Sequence, residues 1–339
     1  MTTMTTETAG PSIPSTWRAW TWAGSADPLA LRLADVAAAP LAPGRMLVRN
    51  AAIGLNPVDW KVLGGDLVDW APGKVPGVDG AGTVVAVADD VPADWIGTRV
   101  AYHTDLATPG SFAEYTPVAA RAVLRVPDGV DLATAAGMPC PALTAWLAFD
   151  KLPLREGGRV LISGAGGAVG LYAVQFAAAL GFQVDAMCHP RHWERLRALG
   201  AQACIEGPLD AASGWADAHA GRYFAVVDSV NADHAAQLAP ALGANGHLVC
   251  IQGRAAAWPN APFGRALSLH EVALGALHPH GSDDDWARLV KAGEAILRQI
   301  AAGRLATEAL ATAGFDALPA HLDALRLRAF SGKALVTLG

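Results

Sequence analysis

The sequence predicts an α/β fold in two parts, a doubly wound parallel sheet inserted into a β-rich domain, and three observations carry that reading. Within residues 159–200 a glycine-dense turn joins an apolar run to an apolar helix and a second strand. Strand-like and helical runs alternate from about 126 to 281, and the flanking sections are short β-like runs punctuated by Gly and Pro.

The first fifteen residues, MTTMTTETAGPSIPS, lack the cationic start and apolar core of a signal peptide and read as a flexible tail. Between Trp17 and Arg125 the β-like runs are Met46–Ile53, Gly82–Ala88, Arg99–Tyr102 and Phe112–Val118. A helical stretch, Leu132 to Asp150, opens the second section. Strand candidates follow at 160–163, 184–188, 203–205, 224–228 and 247–251, with helical runs near 193–199 and 233–242. After a loop with Trp258, Pro259 and Pro262, the run Val272–Leu277 could extend the sheet as an edge strand. Ser282 is a natural N-cap, Asp283, Asp284 and Asp285 suit the positive end, and Trp286, Leu289, Val290, Gly293, Ile296, Leu297 and Ile300 form one face up to Gly303. The tail returns to strands and ends in Ala334–Leu338. The expected boundaries are therefore a tail at 1–15, a β-rich domain at 16–125 plus 282–339, and an inserted domain at 126–281.

A length of 339 residues accommodates two cores, and a net charge of −6 with 17% charged residues leaves no basic stripe for nucleic acid. The longest mostly apolar segment, Leu171–Phe182, contains Gln175 and is too short to span a bilayer, so a soluble, cytoplasmic protein is expected. Cys140, Cys188, Cys204 and Cys250 are scattered without a C-x-x-C and read as reduced core residues.

The glycine turn reads Gly164-Ala165-Gly166-Gly167-Ala168-Val169-Gly170. In the G-x-G-x-x-G frame the first glycine falls on Ala165, with Gly167 and Gly170 in the other two places. Strand, turn, helix and second strand fall where dinucleotide binding requires, so Ala165 to Gly170 are candidate pyrophosphate contacts, helped by the helix N-terminus near Val169. An NAD site would place Asp or Glu at the end of the second strand, but here stand Cys188-His189-Pro190-Arg191-His192. His189, Arg191 and His192 suit a 2′-phosphate, which favours NADPH. The imidazoles add attraction only when protonated, so this preference should sharpen toward pH about 6. The alternative is that Arg191 and Glu194 merely solvate the next helix.

From Trp17 to its end the chain resembles the medium-chain dehydrogenase/reductase superfamily, zinc-independent quinone oxidoreductase-like branch. The resemblance rests on NPVDWK (Asn56–Lys61), PGVDGAGTV (Pro76–Val84), GTRVAY and GSFAEY, LTAW (Leu143–Trp146), the AGGAVG turn, VVDSV (Val226–Val230) and GKALV (Gly332–Val336). It implies a Rossmann domain inserted into a GroES-like domain, with the nicotinamide of NADPH near Asn56, Thr144, Asp228, Gly253 and Lys333. Asn56 and Lys61 become candidate catalytic groups. Asn56 could instead fix the turn before Pro57, and Lys61 could be an exposed lysine paired with Asp59. Trp60, Trp70, Tyr102, Trp258 and Phe263 are candidate walls for a planar substrate, each with core packing as its alternative. At two of the three catalytic zinc positions of related alcohol dehydrogenases stand Asn56 and Val78, and only Cys140 survives at the third, so no metal is expected. His278 with His280, and His189 with His192, read as surface or phosphate-facing groups.

Two departures matter. Leu67 stands where related enoyl-thioester reductases place a proton-donating Tyr, which disfavours that reaction. Ile205-Glu206-Gly207 replaces an Asn-Tyr pair that aids phosphate binding in bacterial quinone reductases. The leading expectation is an NADPH-dependent quinone reductase; the alternatives are C=C reduction of α,β-unsaturated ketones or aldehydes, and a non-enzymatic NADPH-binding structural or regulatory protein. The resemblance also implies a homodimer, paired through the strand Val272–Leu277.

Overall fold

The computed structural model describes residues 13–65, 67–210 and 213–339. Most of the expected tail, residues 1–12, lies outside them, and Ile13–Ser15 take no regular structure. The chain divides into two compact units, one running up to Gly137 and resuming at Leu310–Gly339, the other spanning Met138–Ala309.

The second unit is built on six parallel strands in the order Ala201–Ile205, Gln183–Met187, Arg159–Ser163, Tyr223–Asp228, Leu242–Cys250, Ser268–Glu271. With the strands counted as they occur in the chain, that order is 3-2-1-4-5-6, the doubly wound arrangement in which a ligand sits where the order reverses, beside Arg159–Ser163. The central strands read as near-continuous apolar runs because both faces are covered: Val160, Leu161, Ile162, Val226 and Val227 are all fully buried.

The first unit holds a seven-stranded sheet, with Arg45–Gly54, Asp79–Val87 and Arg99–His103 as its antiparallel centre and the terminal strand Lys333–Thr337 paired to Arg45–Gly54. The C-terminus thus completes the β-rich unit, as expected from its return to short strand-like runs. A hairpin, Thr16–Thr21 with Arg32–Ala37, and the helix Leu318–Arg326 are additions that the sequence reading did not separate.

Three boundaries move. The helix Asp283–Ala301 belongs to the second unit, because Trp286, Leu289, Ile296 and Leu297 are buried and it packs on Pro139–Asp150, with Arg288 bonded to Asp150 at 2.6 Å. The short helix Leu132–Ala136 joins the first unit by packing on the strands Arg45–Gly54 and Asp79–Val87. The predicted helix 132–150 is split there, since Pro139 has no N–H with which to continue it. The sixth strand is Ser268–Glu271, and the expected Val272–Leu277 instead turns into short helical segments at Leu274–Ala276 and Leu277–His280. The true edge strand, Ser-Leu-His-Glu, is polar, as exposed edges tend to be, and so leaves no apolar run to read.

Candidate cofactor site and a buried polar chain

The glycine turn leaves the strand Arg159–Ser163 and enters the helix Ala168–Ala179 with Gly167 as N-cap. The left-handed residue of the turn is Gly164, at φ +69°, one place before the motif's first glycine. That frees position 165 to carry a Cβ, which explains Ala165. A Cβ on Gly170 would lie 2.5 Å from the Cα of Ala165, so the helix approaches the turn as closely as a glycine allows. The first intrahelical bond in this turn runs from the Leu171 N–H to the Gly167 carbonyl. The N–H groups of Ala168, Val169 and Gly170 therefore have no acceptor within the helix and form the open end that a pyrophosphate requires. This cradle fits a dinucleotide.

The strand Gln183–Met187 ends beside the turn, Ala165 N–H bonding to the Met187 carbonyl at 3.2 Å. His192 packs on the turn: a Cβ added to Gly166 would sit 2.4 Å from its ring. Arg191 donates through Nε to His192 Nε2 at 3.0 Å, and its backbone N–H donates to His189 Nδ1 at 3.1 Å. The three predicted residues thus form one cluster. Both imidazoles act in it as acceptors, a role the protonated ring cannot fill. Burial, reinforced by Arg195, Arg191 and His189, holds His192 below the ordinary imidazole range, so its expected help near pH 6 moves to lower pH. The nearest acid on the strand, Asp185, is spent inward on Arg159, Arg222 and the Tyr223 hydroxyl.

Asp228 is buried and fully engaged, accepting from the Val230 and Asn231 N–H groups at 2.9 and 3.1 Å and from His234 Nδ1 at 2.6 Å. His234 Nε2 accepts from the Leu209 N–H, which assigns the ring proton to Nδ1. Asp228 thereby shapes the turn after its strand. Gly253 lies at φ +125° against Ala232, and Thr144 is buried in the helix Pro139–Asp150.

In the first unit, four strand ends converge: Gly54, Asp79, His103 and Lys333, with Gly54 and His103 each opposite Asp79 in register. Lys333 Nζ donates to Asn56 Oδ1 at 2.5 Å and to the Leu55 carbonyl at 2.9 Å. Asn56 Nδ2 donates to Asp79 Oδ2 at 2.9 Å and to the Gly54 carbonyl at 3.3 Å, and Asp79 Oδ1 meets His103 Nδ1 at 2.8 Å. Beside them Asp59 accepts from the Asn56 N–H at 2.7 Å and the Val78 N–H at 3.2 Å. Burial is the main cause that raises the Asp59 carboxyl to about 7, with Asp79 adding to it against the backbone N–H groups and Lys333. Removing several charges from water costs several kcal/mol each unless they are paired, and such clusters favour functional sites. Asn56 and Lys333 were expected together; Asp59, Asp79 and His103 were missed. For Asp79 and His103 the signal was an acid and a His set within apolar runs, VDGAG and VAYH.

The other expected residues divide. Lys61 is exposed, its Nζ 5.6 Å over the Trp60 ring, and burial lowers its pKa, with Arg328 adding to that; Asp59 turns inward instead of pairing with it. Trp60 is half-buried against the core. Trp70 bonds to the Leu106 carbonyl and meets Trp22 edge-on, which makes it a packing residue. Tyr102 is a correction: it is fully buried in the core with Met46, Val48 and Val100, and its hydroxyl donates to Asn50 Oδ1 at 2.7 Å. Trp258 borders a hollow with Cys250, Arg254, His270 and Glu271. Phe263 is fully exposed at φ +60°.

Residues 42–128 match the alcohol dehydrogenase GroES-like domain. A chloroplast envelope quinone oxidoreductase homolog of Arabidopsis thaliana is 30% identical over 254 residues, which cover 72% of this chain and 77% of that protein. The chain belongs to the medium-chain dehydrogenase/reductase family, in its quinone oxidoreductase-like branch. Among other members, a trans-enoyl reductase of Aspergillus niger is 32% identical over 194 residues, 51% of this chain and 52% of its own. The crystal structure of an alcohol dehydrogenase superfamily protein from Novosphingobium aromaticivorans superposes with a TM-score of 0.80 at 25% identity, covering 96% of this chain and 100% of that one. The chain spans about half the length of several curated relatives it matches.

Proposed function

We propose that this family member is an NADPH-dependent oxidoreductase that reduces a quinone without zinc. The observation that carries the reading is the cradle Gly164–Gly170 facing a strand end with Arg191, His189 and His192 and no carboxylate. When bound, NADPH supplies a hydride. The first-turn N–H groups of Ala168, Val169 and Gly170 would hold its pyrophosphate, and Arg191 its 2′-phosphate.

Asn56 and Lys333 serve as orienting groups. Both Asn56 N–H bonds are spent on Asp79 and Gly54, so only its carbonyl oxygen, shared with Lys333, is left to meet a ligand. Lys333 holds positive charge where negative charge would develop on a substrate oxygen, and exposed Lys61 is the second candidate for that role. Asn56, locked between Lys333 and Asp79, and apolar Val78 leave two of the three expected zinc positions without a thiolate or imidazole, which supports metal-free chemistry. Thr144, Asp228 and Gly253 are assigned to framing the nicotinamide on the resemblance alone. The polar strand Ser268–Glu271 ends the sheet, so pairing with a second copy there would rest on its backbone groups.

Reduction of the C=C bond of α,β-unsaturated carbonyls is the second reading, favoured by the likeness to relatives named trans-enoyl reductases. Purified protein with NADPH and a panel of quinones and enones, followed by loss of reduced-cofactor absorbance, tests both. Turnover of quinones above enones supports the first reading, the reverse supports the second, and no turnover with tight NADPH binding supports a non-enzymatic role.

A further inference from the structure

Arg195 was not among the residues expected to meet the 2′-phosphate, although its charge acts on His192. It lies on the helix Trp193–Ala198, donates through one nitrogen to the Gly166 carbonyl at 3.1 Å, and through the other to Glu308 Oε1 at 2.9 Å. The Glu308 side chain is only 8% exposed, so the pair is anchored on a largely buried carboxylate. The segment bearing Glu308 is itself fastened, since Gln175 bonds to Ala306 through both its N–H and its carbonyl.

The bond to Gly166 falls on a vulnerable peptide. Gly166–Gly167 is a Gly-Gly link with no Cβ on either side to restrict it, and a planar trans peptide points its carbonyl and N–H in opposite directions. Here the carbonyl is taken by Arg195 and the N–H by the Gly164 carbonyl at 3.1 Å. Were this peptide to flip, a carbonyl oxygen would enter the turn meant for an anion and the closing N–H would leave it.

We propose that Arg195, set by Glu308, is a positioning residue that latches the Gly166–Gly167 peptide in its anion-accepting orientation and so sets affinity for any dinucleotide, with or without a 2′-phosphate. The inference rests on the reading of the turn as a pyrophosphate cradle. It assigns the two arginines different tasks: Arg191 selects between cofactors, whereas Arg195 raises affinity for both.

Titrating NADPH and NADH into wild type, Arg195→Met, Glu308→Gln and Arg191→Ala, each checked for folding by thermal melting, separates the possibilities. Loss of a charge-assisted bond to the turn should weaken both cofactors by about tenfold in Arg195→Met, with a smaller equal loss in Glu308→Gln. Hydrogen exchange at the Gly167 amide should quicken in both variants. Wild-type affinity in Arg195→Met, or a loss for NADPH alone, overturns the latch. Should Arg195→Met fail to fold, a Glu308→Gln variant with unchanged Gly167 exchange and affinity overturns it equally. Wild-type protein that binds neither cofactor would instead remove the pyrophosphate reading on which the latch depends.

Discussion

Lys333 donates to the side-chain oxygen of Asn56 across 2.5 Å, joining two residues 277 apart in the chain, and Asn56 carries the contact on to Asp79. Asn56→Leu keeps much of the side chain's volume but leaves a buried ammonium and a buried carboxylate each one partner short. A lost bond to a charged group is worth about 1.5–3 kcal/mol, so denaturant unfolding should show a loss of about 3 kcal/mol. A change below about 1 kcal/mol would mean that the chain of bonds contributes little to stability.

Asp59 gives the fold a pH dependence whose sign is fixed by the direction of its shift. Its carboxyl is raised from an ordinary 3.8 to about 7, so folding favours the protonated form. That contribution is complete below the unfolded value and is lost as pH rises through the folded one, at about 1.4 kcal/mol per pH unit in between. Asp59→Asn removes the titration. The stability of wild type relative to this variant should fall by about 2–3 kcal/mol from pH 5 to pH 7 and level off above that. A difference that is flat across this range, or rises with pH, would show that Asp59 stays ionised in the fold.

Much of the second unit was legible because its signals are local. The turn at Gly164–Gly170, the apolar strands and the capped helix Asp283–Ala301 each announce themselves within a short window. What escaped depends on distance. Asp79 meets His103 only because two antiparallel strands pair in register. Tyr102 stood between substrate wall and core because an aromatic side chain on a strand looks the same from either face; the register turns it toward Asn50 and decides for the core. The edge strand Ser268–Glu271 was misplaced because its polar residues carry no periodic signal.

Elemental analysis should find no stoichiometric zinc, and turnover should survive strong chelator, because Asn56 is held by Lys333 and Asp79 and Val78 has no donor atom. One zinc per chain, or loss of activity on chelation, would overturn metal-free chemistry.

Light scattering at micromolar concentration should give a dimer mass. A Pro at Leu269 removes a backbone donor from the edge strand and should shift the mass toward monomer. A monomeric wild type would leave Ser268–Glu271 as a solvated edge.

Cofactor choice is the central claim, and calorimetric titration of wild type and Arg191→Ala with NADPH and NADH tests it most directly. Arg191 lies at a strand end without a carboxylate, bonded to His192 beside the turn. Wild type should prefer NADPH, and Arg191→Ala should lose about ten- to a hundredfold in NADPH affinity while NADH binding stays nearly unchanged. Because burial and Arg195 hold His192 below the ordinary imidazole range, the preference should change little between pH 8 and pH 7. Equal wild-type affinities for the two cofactors, or an equal loss of both in the variant, would contradict the NADPH assignment.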